Sequence, residues 1–118
     1  MTTVTEIFPS FAAARAKCNA SYDDELIAEV IAFKTSLPFA AGTPAPEQAL
    51  NSIIAAAMAA AETSSRPLCI LDFGGACGFH YLWVTATLSI PLRWAIVETP
   101  AMAAQATKIA CGRFFVCG

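Results

Sequence analysis

An apolar run near the middle of the chain leads directly into a glycine-rich turn. Residues 68–81 read LCILDFGGACGFHY, and the run LCILDF has the composition of a buried parallel strand. A glycine directly after such a strand takes the positive φ that a sharp turn requires. The residues after Gly78 favour a helix, whose first N–H groups are available to a polar or anionic ligand. The stretch therefore predicts a strand–turn–helix unit with a ligand site at the turn.

Strand and helix patterns alternate along the rest of the chain after Pro67. LRWAIVE predicts a second strand, PAMAAQATKIA a second helix that begins at Pro100 and ends near Gly112, and RFFVC a third strand. Residues 67–118 thus predict a β-α-β-α-β unit, the Rossmann-like half of a doubly wound parallel sheet in an α/β fold. Four aromatic residues are expected in its core: Trp83, Trp94, Phe114 and Phe115.

Residues 1–66 have helical patterns and predict an N-terminal helical region that precedes the sheet. A capping box of Ser21 and Asp24 would begin one helix, and four apolar residues at helical spacing are predicted to form its buried face: Leu26, Ile27, Val30 and Ile31. Pro46 would begin the next helix, which runs to about Glu62. Its predicted buried face consists of Leu50, Ile53, Ile54, Ala57, Met58 and Ala61.

The charge and hydropathy of the chain exclude two classes of partner. Seven Lys and Arg against nine Asp and Glu give a formal net charge of -2, with no basic stripe for nucleic acid or an anionic membrane surface. The hydrophobic fraction is 57%, but glycines and prolines interrupt the long uncharged stretches that a membrane-spanning helix needs. The first residues also lack the basic and apolar segments of a signal peptide. We therefore expect a cytoplasmic protein that contacts neither nucleic acid nor membrane.

The five cysteines are dispersed, with no C-x-x-C pair, and in an intracellular chain they are expected to be thiols. Cys77 and His80 form a single C-x-x-H spacing, which supplies too few ligands for a metal site that needs four. We therefore expect no metal. His80 is expected to be a packing residue at the start of a helix, and a role as general base is the less favoured alternative.

The glycine turn and a later acid together predict a nucleotide-like cofactor. Gly74, Ala76 and Gly78 occupy the three small positions of the turn, and Glu98 ends the second predicted strand, twenty residues after Gly78. An acid at that distance accepts hydrogen bonds from the hydroxyls of a ribose. Asp72 precedes the first glycine, where a carboxylate would repel a pyrophosphate and attract an ammonium group. This charge favours S-adenosylmethionine over NAD.

These motifs also resemble those of a known family. LDFGGACGFHY followed by LRWAIVETPAM is similar to a bacterial family of class I S-adenosylmethionine-dependent methyltransferases, which carry LDFGG, then a glycine and a tyrosine, then RW-x-V-V-E-x-P. The upstream FPSFAAARAKCNASYDDELIAEVIAFKT is similar too, so the likeness covers nearly the whole chain. Tyr81 matches the family tyrosine, whose role is unassigned. The resemblance implies that five residues bind the cofactor: Asp72, Gly74, Gly75, Gly78 and Glu98.

The resemblance implies a small-molecule or saccharide acceptor, an association with surface-polysaccharide synthesis, and a sheet of about seven strands in the order 3-2-1-4-5-7-6. This chain would supply only the first three strands. We therefore expect an incomplete sheet, weak or absent turnover by these 118 residues, and self-association through the uncovered sheet edge. Two alternatives stay open: an NAD-dependent oxidoreductase half-domain, and a non-catalytic cofactor-binding module or truncated, inactive gene product. No catalytic residue is assigned.

Overall fold

The computed structural model describes residues 7–17, 24–37, 42–63 and 66–118. These residues form five helices and three strands in the order α1 (Phe11–Ala16), α2 (Glu25–Ser36), α3 (Glu47–Glu62), β1 (Leu68–Phe73), α4 (Phe79–Thr87), β2 (Leu92–Val97), α5 (Pro100–Ala110) and β3 (Phe115–Cys117). The predicted α/β class and the parallel sheet are confirmed. None of the described helices is long and apolar enough to cross a membrane.

The sheet has the strand order β1-β2-β3, and both pairs of neighbouring strands are parallel. The register places Leu71 beside Ala95, and Ala95 beside Phe115. Because both connections cross in the same direction, α4 and α5 lie on the same face of the sheet. The carboxyl ends of the strands meet at one end of the sheet, so the loops that follow β1 and β2 are neighbours there.

Burial alternates along the strands because the described helices cover only one face of the sheet. The covered face contributes four residues to the main core, where they pack with α3, α4 and α5: Leu68, Trp94, Ile96 and Phe114. On the opposite face Leu71, Phe73 and Phe115 are 62%, 76% and 68% exposed. The predictions that LCILDF is a buried strand and that Phe115 is a core residue are therefore wrong.

The outer edge of β1 has no strand partner among the described residues. The amides of Leu68 and Gly74 donate to carbonyls on the β2 side at 2.9 Å each. In a parallel ladder, alternate residues bond to the same neighbour. The backbone groups of Cys69, Leu71 and Phe73 consequently point away from β2, toward the open edge.

The helix α2 packs against α5 through alanines rather than through its large side chains. A second core cluster contains Ala28, Ala32, Cys77, Met102 and Ala106. Small residues let two helices approach closely, which leaves Leu26 and Val30 on the outside, 68% and 46% exposed. Of the predicted buried face, only Ile27 and Ile31 are partly buried, so that prediction is wrong for Leu26 and Val30.

The helix α3 departs from its predicted face in the same way. Its buried residues are Ala49, Ile53 and Ala56. The predicted face is right at Ile53 only, because five of its members are exposed: Leu50, Ile54, Ala57, Met58 and Ala61. The predicted end at Glu62 is confirmed, whereas Pro46 is the residue before the helix and not its first residue.

The start of α2 also differs from the prediction. Asp24 Oδ1 accepts hydrogen bonds from the amides of Leu26 and Ile27 at 2.8 and 3.3 Å. Asp24 is therefore the N-cap itself and does not occupy position N3 of a capping box that begins at Ser21. Ser21, the predicted cap, lies outside the described residues.

The packing of α2 yields a prediction that separates its two faces. Ala28→Leu should lower the free energy of unfolding by about 1–3 kcal/mol, because the added side chain overfills a closed contact. Leu26→Ala, on the exposed face of the same helix, should change it by less than about 0.5 kcal/mol. Urea denaturation of both variants measures this. A larger loss for Leu26→Ala would show that the large side chains form the buried face.

Candidate functional site at the carboxyl ends of the strands

The loop between β1 and α4 has three positive φ angles in five residues. Gly74, Ala76 and Gly78 have φ values of 68°, 49° and 94°, and these are the three small positions that the sequence singles out. Glycine adopts such angles freely, but for alanine the left-handed region costs about 1–2 kcal/mol. Ala76 is therefore held in this conformation by contacts around the turn.

The Glu98 carboxylate makes one of those contacts. Its Oε1 accepts a hydrogen bond from the amide of Ala76 at 2.8 Å, and its Oε2 accepts one from the amide of Thr99 at 3.0 Å. The Glu98 amide donates to the Cys117 carbonyl at 2.9 Å, which anchors the residue to β3. The structure thus brings Glu98 and the glycine turn together, as their spacing predicts.

Asp72 lies at the same end of the sheet, against the backbone of Gly75. A Cβ on Gly75 would lie 2.5 Å from Cγ of Asp72, so Gly75 is the residue that makes room for this carboxyl group. Trp94 Nε1 donates to Asp72 Oδ2 at 3.2 Å. The contact shows that Trp94 is more than the core aromatic that the sequence predicts.

The pKa of Asp72 is raised. Burial of the carboxyl group is the main cause, and the nearby Glu98 carboxylate acts in the same direction. The hydrogen bond from Trp94 and the proximity of His80 act in the opposite direction and lower the pKa. A cation bound beside Asp72 would favour its ionised form, because a nearby opposite charge stabilises a carboxylate.

Gly78 and Tyr81 join the turn to the core. A Cβ on Gly78 would lie 2.8 Å from Cζ of Phe114, so both the φ angle and the close packing require glycine. The Tyr81 ring packs against the rings of Phe114 and Trp94, with centroid distances of 4.9 and 5.7 Å. Tyr81 therefore joins the start of α4, which follows the turn, to the core through its ring contacts.

The C-x-x-H pair does not act as a unit. Cys77 is buried, its Sγ lies 3.6 Å from Met102 Sδ, and burial followed by the charge of Glu98 raises its pKa. His80 instead pairs through Nδ1 with Ser52 Oγ at 2.8 Å. Within the described residues, no three His, Cys, Asp or Glu side chains are grouped as metal ligands.

The turn can receive a ligand on the side of Gly74. Nothing lies within 4 Å of the position that a Cβ of Gly74 would take, so a ligand can contact the backbone there. The carboxyl groups of Asp72 and Glu98 contact the next two residues of the turn, Gly75 and Ala76. The arrangement suits a ligand with hydroxyl donors and a positive charge, and it disfavours a polyanion.

Sequence reasoning did not find the residues on other elements that position Asp72 and His80. Trp94 shares the covered face with Asp72 because the register pairs Asp72 with Ile96, two residues further along β2, so the alternation of the strands contained that signal. Ser52 reaches His80 from α3, 28 positions earlier in the chain. No spacing rule connects two residues on helices that meet only in the folded protein.

Alanine substitutions at two glycines of positive φ, Gly112 and Gly78, distinguish the cost of backbone strain from the cost of a packing clash. Gly112→Ala adds a methyl group into open space at φ 78° and should lower the free energy of unfolding by about 1–2 kcal/mol. Gly78→Ala carries the same strain and also meets the Phe114 ring, so it should cost at least about 1 kcal/mol more. Equal losses in urea denaturation would contradict the close contact with Phe114.

The raised pKa of Asp72 predicts a pH dependence. The folded state holds the Asp72 proton more tightly than the unfolded state, so this residue lowers stability as the pH rises through the acid range toward neutrality. Asp72→Asn keeps an oxygen for the Trp94 hydrogen bond but carries no titrating proton. The stability of this variant relative to the original chain should therefore increase with pH, measured by urea denaturation at several pH values. A difference that stays constant or decreases with pH would contradict the raised pKa.

Comparison of the chain with protein-family models, curated proteins and solved structures found no match. The family resemblance accordingly depends on the motifs quoted from the sequence.

Proposed function

We propose that the turn from Asp72 to Gly78 binds S-adenosylmethionine and that the chain is the cofactor-binding, Rossmann-like part of a class I methyltransferase. The observation that carries the proposal is the 2.8 Å hydrogen bond between the Ala76 amide and the Glu98 carboxylate. It joins the small-residue turn after β1 to an acid at the end of β2. In open α/β sheets, this is where nucleotide-like ligands bind.

Each part of the ligand has a matching group on the chain. Glu98 would accept hydrogen bonds from the ribose hydroxyls, and the open backbone at Gly74 would receive the ligand closely. Asp72 would attract the ammonium group of the methionine part. The same carboxylate disfavours the pyrophosphate of NAD, so a dinucleotide is the weaker candidate.

The chemistry would come from the cofactor, which supplies a methyl group on a positively charged sulfur. Methyl transfer asks a protein mainly to position its two reactants, and we assign no catalytic residue. We expect weak or absent turnover by this chain alone, with a small-molecule or saccharide acceptor. The second candidate, a non-catalytic cofactor-binding module, shares the binding site and differs only in that turnover is absent in any assembly.

Two further features concern the location of the protein and its self-association. The four cysteines within the described residues are free thiols, which suits a cytoplasmic location. The edge of β1 is unpaired among the described residues, and its Leu71 and Phe73 side chains are exposed on the uncovered face. An unpaired edge on a strand with exposed apolar side chains promotes pairing with another strand. We therefore propose self-association through this edge as the partner interaction.

The proposal predicts selective binding. Isothermal titration calorimetry of the chain with S-adenosylmethionine, S-adenosylhomocysteine and NAD should give heat with the first two only. Glu98→Gln should weaken S-adenosylmethionine binding roughly tenfold or more, because hydrogen bonds to a charged group contribute about 1.5–3 kcal/mol. Thermal unfolding of the variant without ligand checks that the turn survives.

Glu62→Gln is the matched control, since Glu62 is exposed at the end of α3. This variant should bind S-adenosylmethionine as the original chain does. Binding of NAD in preference to S-adenosylmethionine would replace the proposal with the oxidoreductase alternative. Absence of binding to all three ligands, or an equal loss in both glutamine variants, would refute it.

A further inference from the structure

A pocket lies beside the turn, between α3, β1 and the start of α4, with a volume of about 410 Å³. Its walls are mainly apolar and are formed by short side chains of α3 and larger ones of the sheet: Ala55, Ala56, Ala59, Leu68, Ile70 and Trp94. Three polar side chains also line it, those of Ser52, Asp72 and His80. An apolar pocket with a few convergent polar groups has the usual character of a small-molecule site.

The polar end of the pocket contains an ordered pair. Ser52 Oγ and His80 Nδ1 lie 2.8 Å apart and join α3 to α4. Other described helix hydroxyls, such as those of Thr35 and Thr63, donate to carbonyls of their own helix. Ser52 has its described partner in His80, and the pair has two forms: the hydroxyl donates to Nδ1 while the ring proton lies on Nε2, or Nδ1–H donates to the hydroxyl.

His80 Nε2 has no hydrogen-bond partner within the described residues. His80 lines the pocket, so a molecule bound there can form a hydrogen bond with Nε2. An anionic acceptor such as a carboxylate is disfavoured, because the Asp72 carboxyl group lines the same pocket. A neutral oxygen avoids that repulsion.

We propose that the Ser52 hydroxyl donates to Nδ1 of His80, and that this pocket binds a small, neutral, mainly apolar molecule through one hydroxyl or carbonyl oxygen, which accepts a hydrogen bond from the Nε2–H. The apolar body of the molecule packs against the alanines of α3 and the indole of Trp94. This site goes beyond the proposed cofactor turn and does not depend on it, because the two share only Asp72.

The test uses three matched probes: p-cresol, toluene and 4-methylbenzoate. They present a similar apolar body with a hydroxyl, with no polar group, and with a carboxylate. His80 is the only histidine of the chain, so its ring nitrogens give unambiguous NMR signals. We expect p-cresol to bind roughly threefold to tenfold more tightly than toluene, as one hydrogen bond allows, and to shift the Nε2 signal. The carboxylate should bind more weakly than p-cresol.

Two pairs of variants locate the site. Ser52→Ala should reduce the preference for p-cresol over toluene, whereas Ser36→Ala, an exposed hydroxyl on α2, should not. Ala59→Leu should fill the pocket and abolish binding of both probes, whereas Ala57→Leu on the exposed side of the same helix should not.

Equal affinity for p-cresol and toluene, tighter binding of the carboxylate, an unshifted His80 signal, or equal effects within either pair of variants would overturn the proposal. Its outcome is separable from that of the cofactor proposal. Binding of S-adenosylmethionine without p-cresol would refute this pocket alone, and the reverse result would refute the cofactor turn alone.

Discussion

The two connections between the parallel strands cross in the same direction, and the rest of the structure depends on this constraint. It places α4 and α5 on one face, so that only even-numbered strand positions such as Trp94 and Ile96 enter the core. It also leaves the opposite face and the outer edge of β1 without a described partner. The same parallel arrangement brings the ends of β1 and β2 together, where Asp72 and Glu98 lie.

The candidate site is stabilised from three directions. The Glu98 carboxylate holds the turn from β2, Trp94 holds Asp72 from the covered face, and Phe114 fills the space beneath Gly78. Each of these contacts joins residues that are distant in sequence. The geometry of the turn is consequently a property of the assembled sheet and not of the glycine motif by itself.

Periodicity and turn chemistry predicted the α/β class, the three strands and the ends of most elements. They also predicted that Glu98 ends the second strand near the turn, because spacing along a strand–helix–strand unit fixes where that strand ends, but not its hydrogen bond to Ala76. They failed for the buried faces of α2 and α3, because hydropathy ranks Leu26 above Ala28, while close helix packing selects the smaller residue. The Ser52–His80 pair was beyond prediction, since it depends on how α3 lies across α4.

Ala76 occupies a left-handed conformation at φ 49°, and this has a consequence for how the turn meets a ligand. Alanine has fewer accessible backbone conformations than glycine, so a loop that contains it loses less conformational entropy when it becomes ordered. When a loop is already ordered before a ligand binds, less of the binding free energy is lost to ordering it. The turn should therefore behave as a preformed surface, at which selectivity depends on the shape of the ligand and not on closure around it.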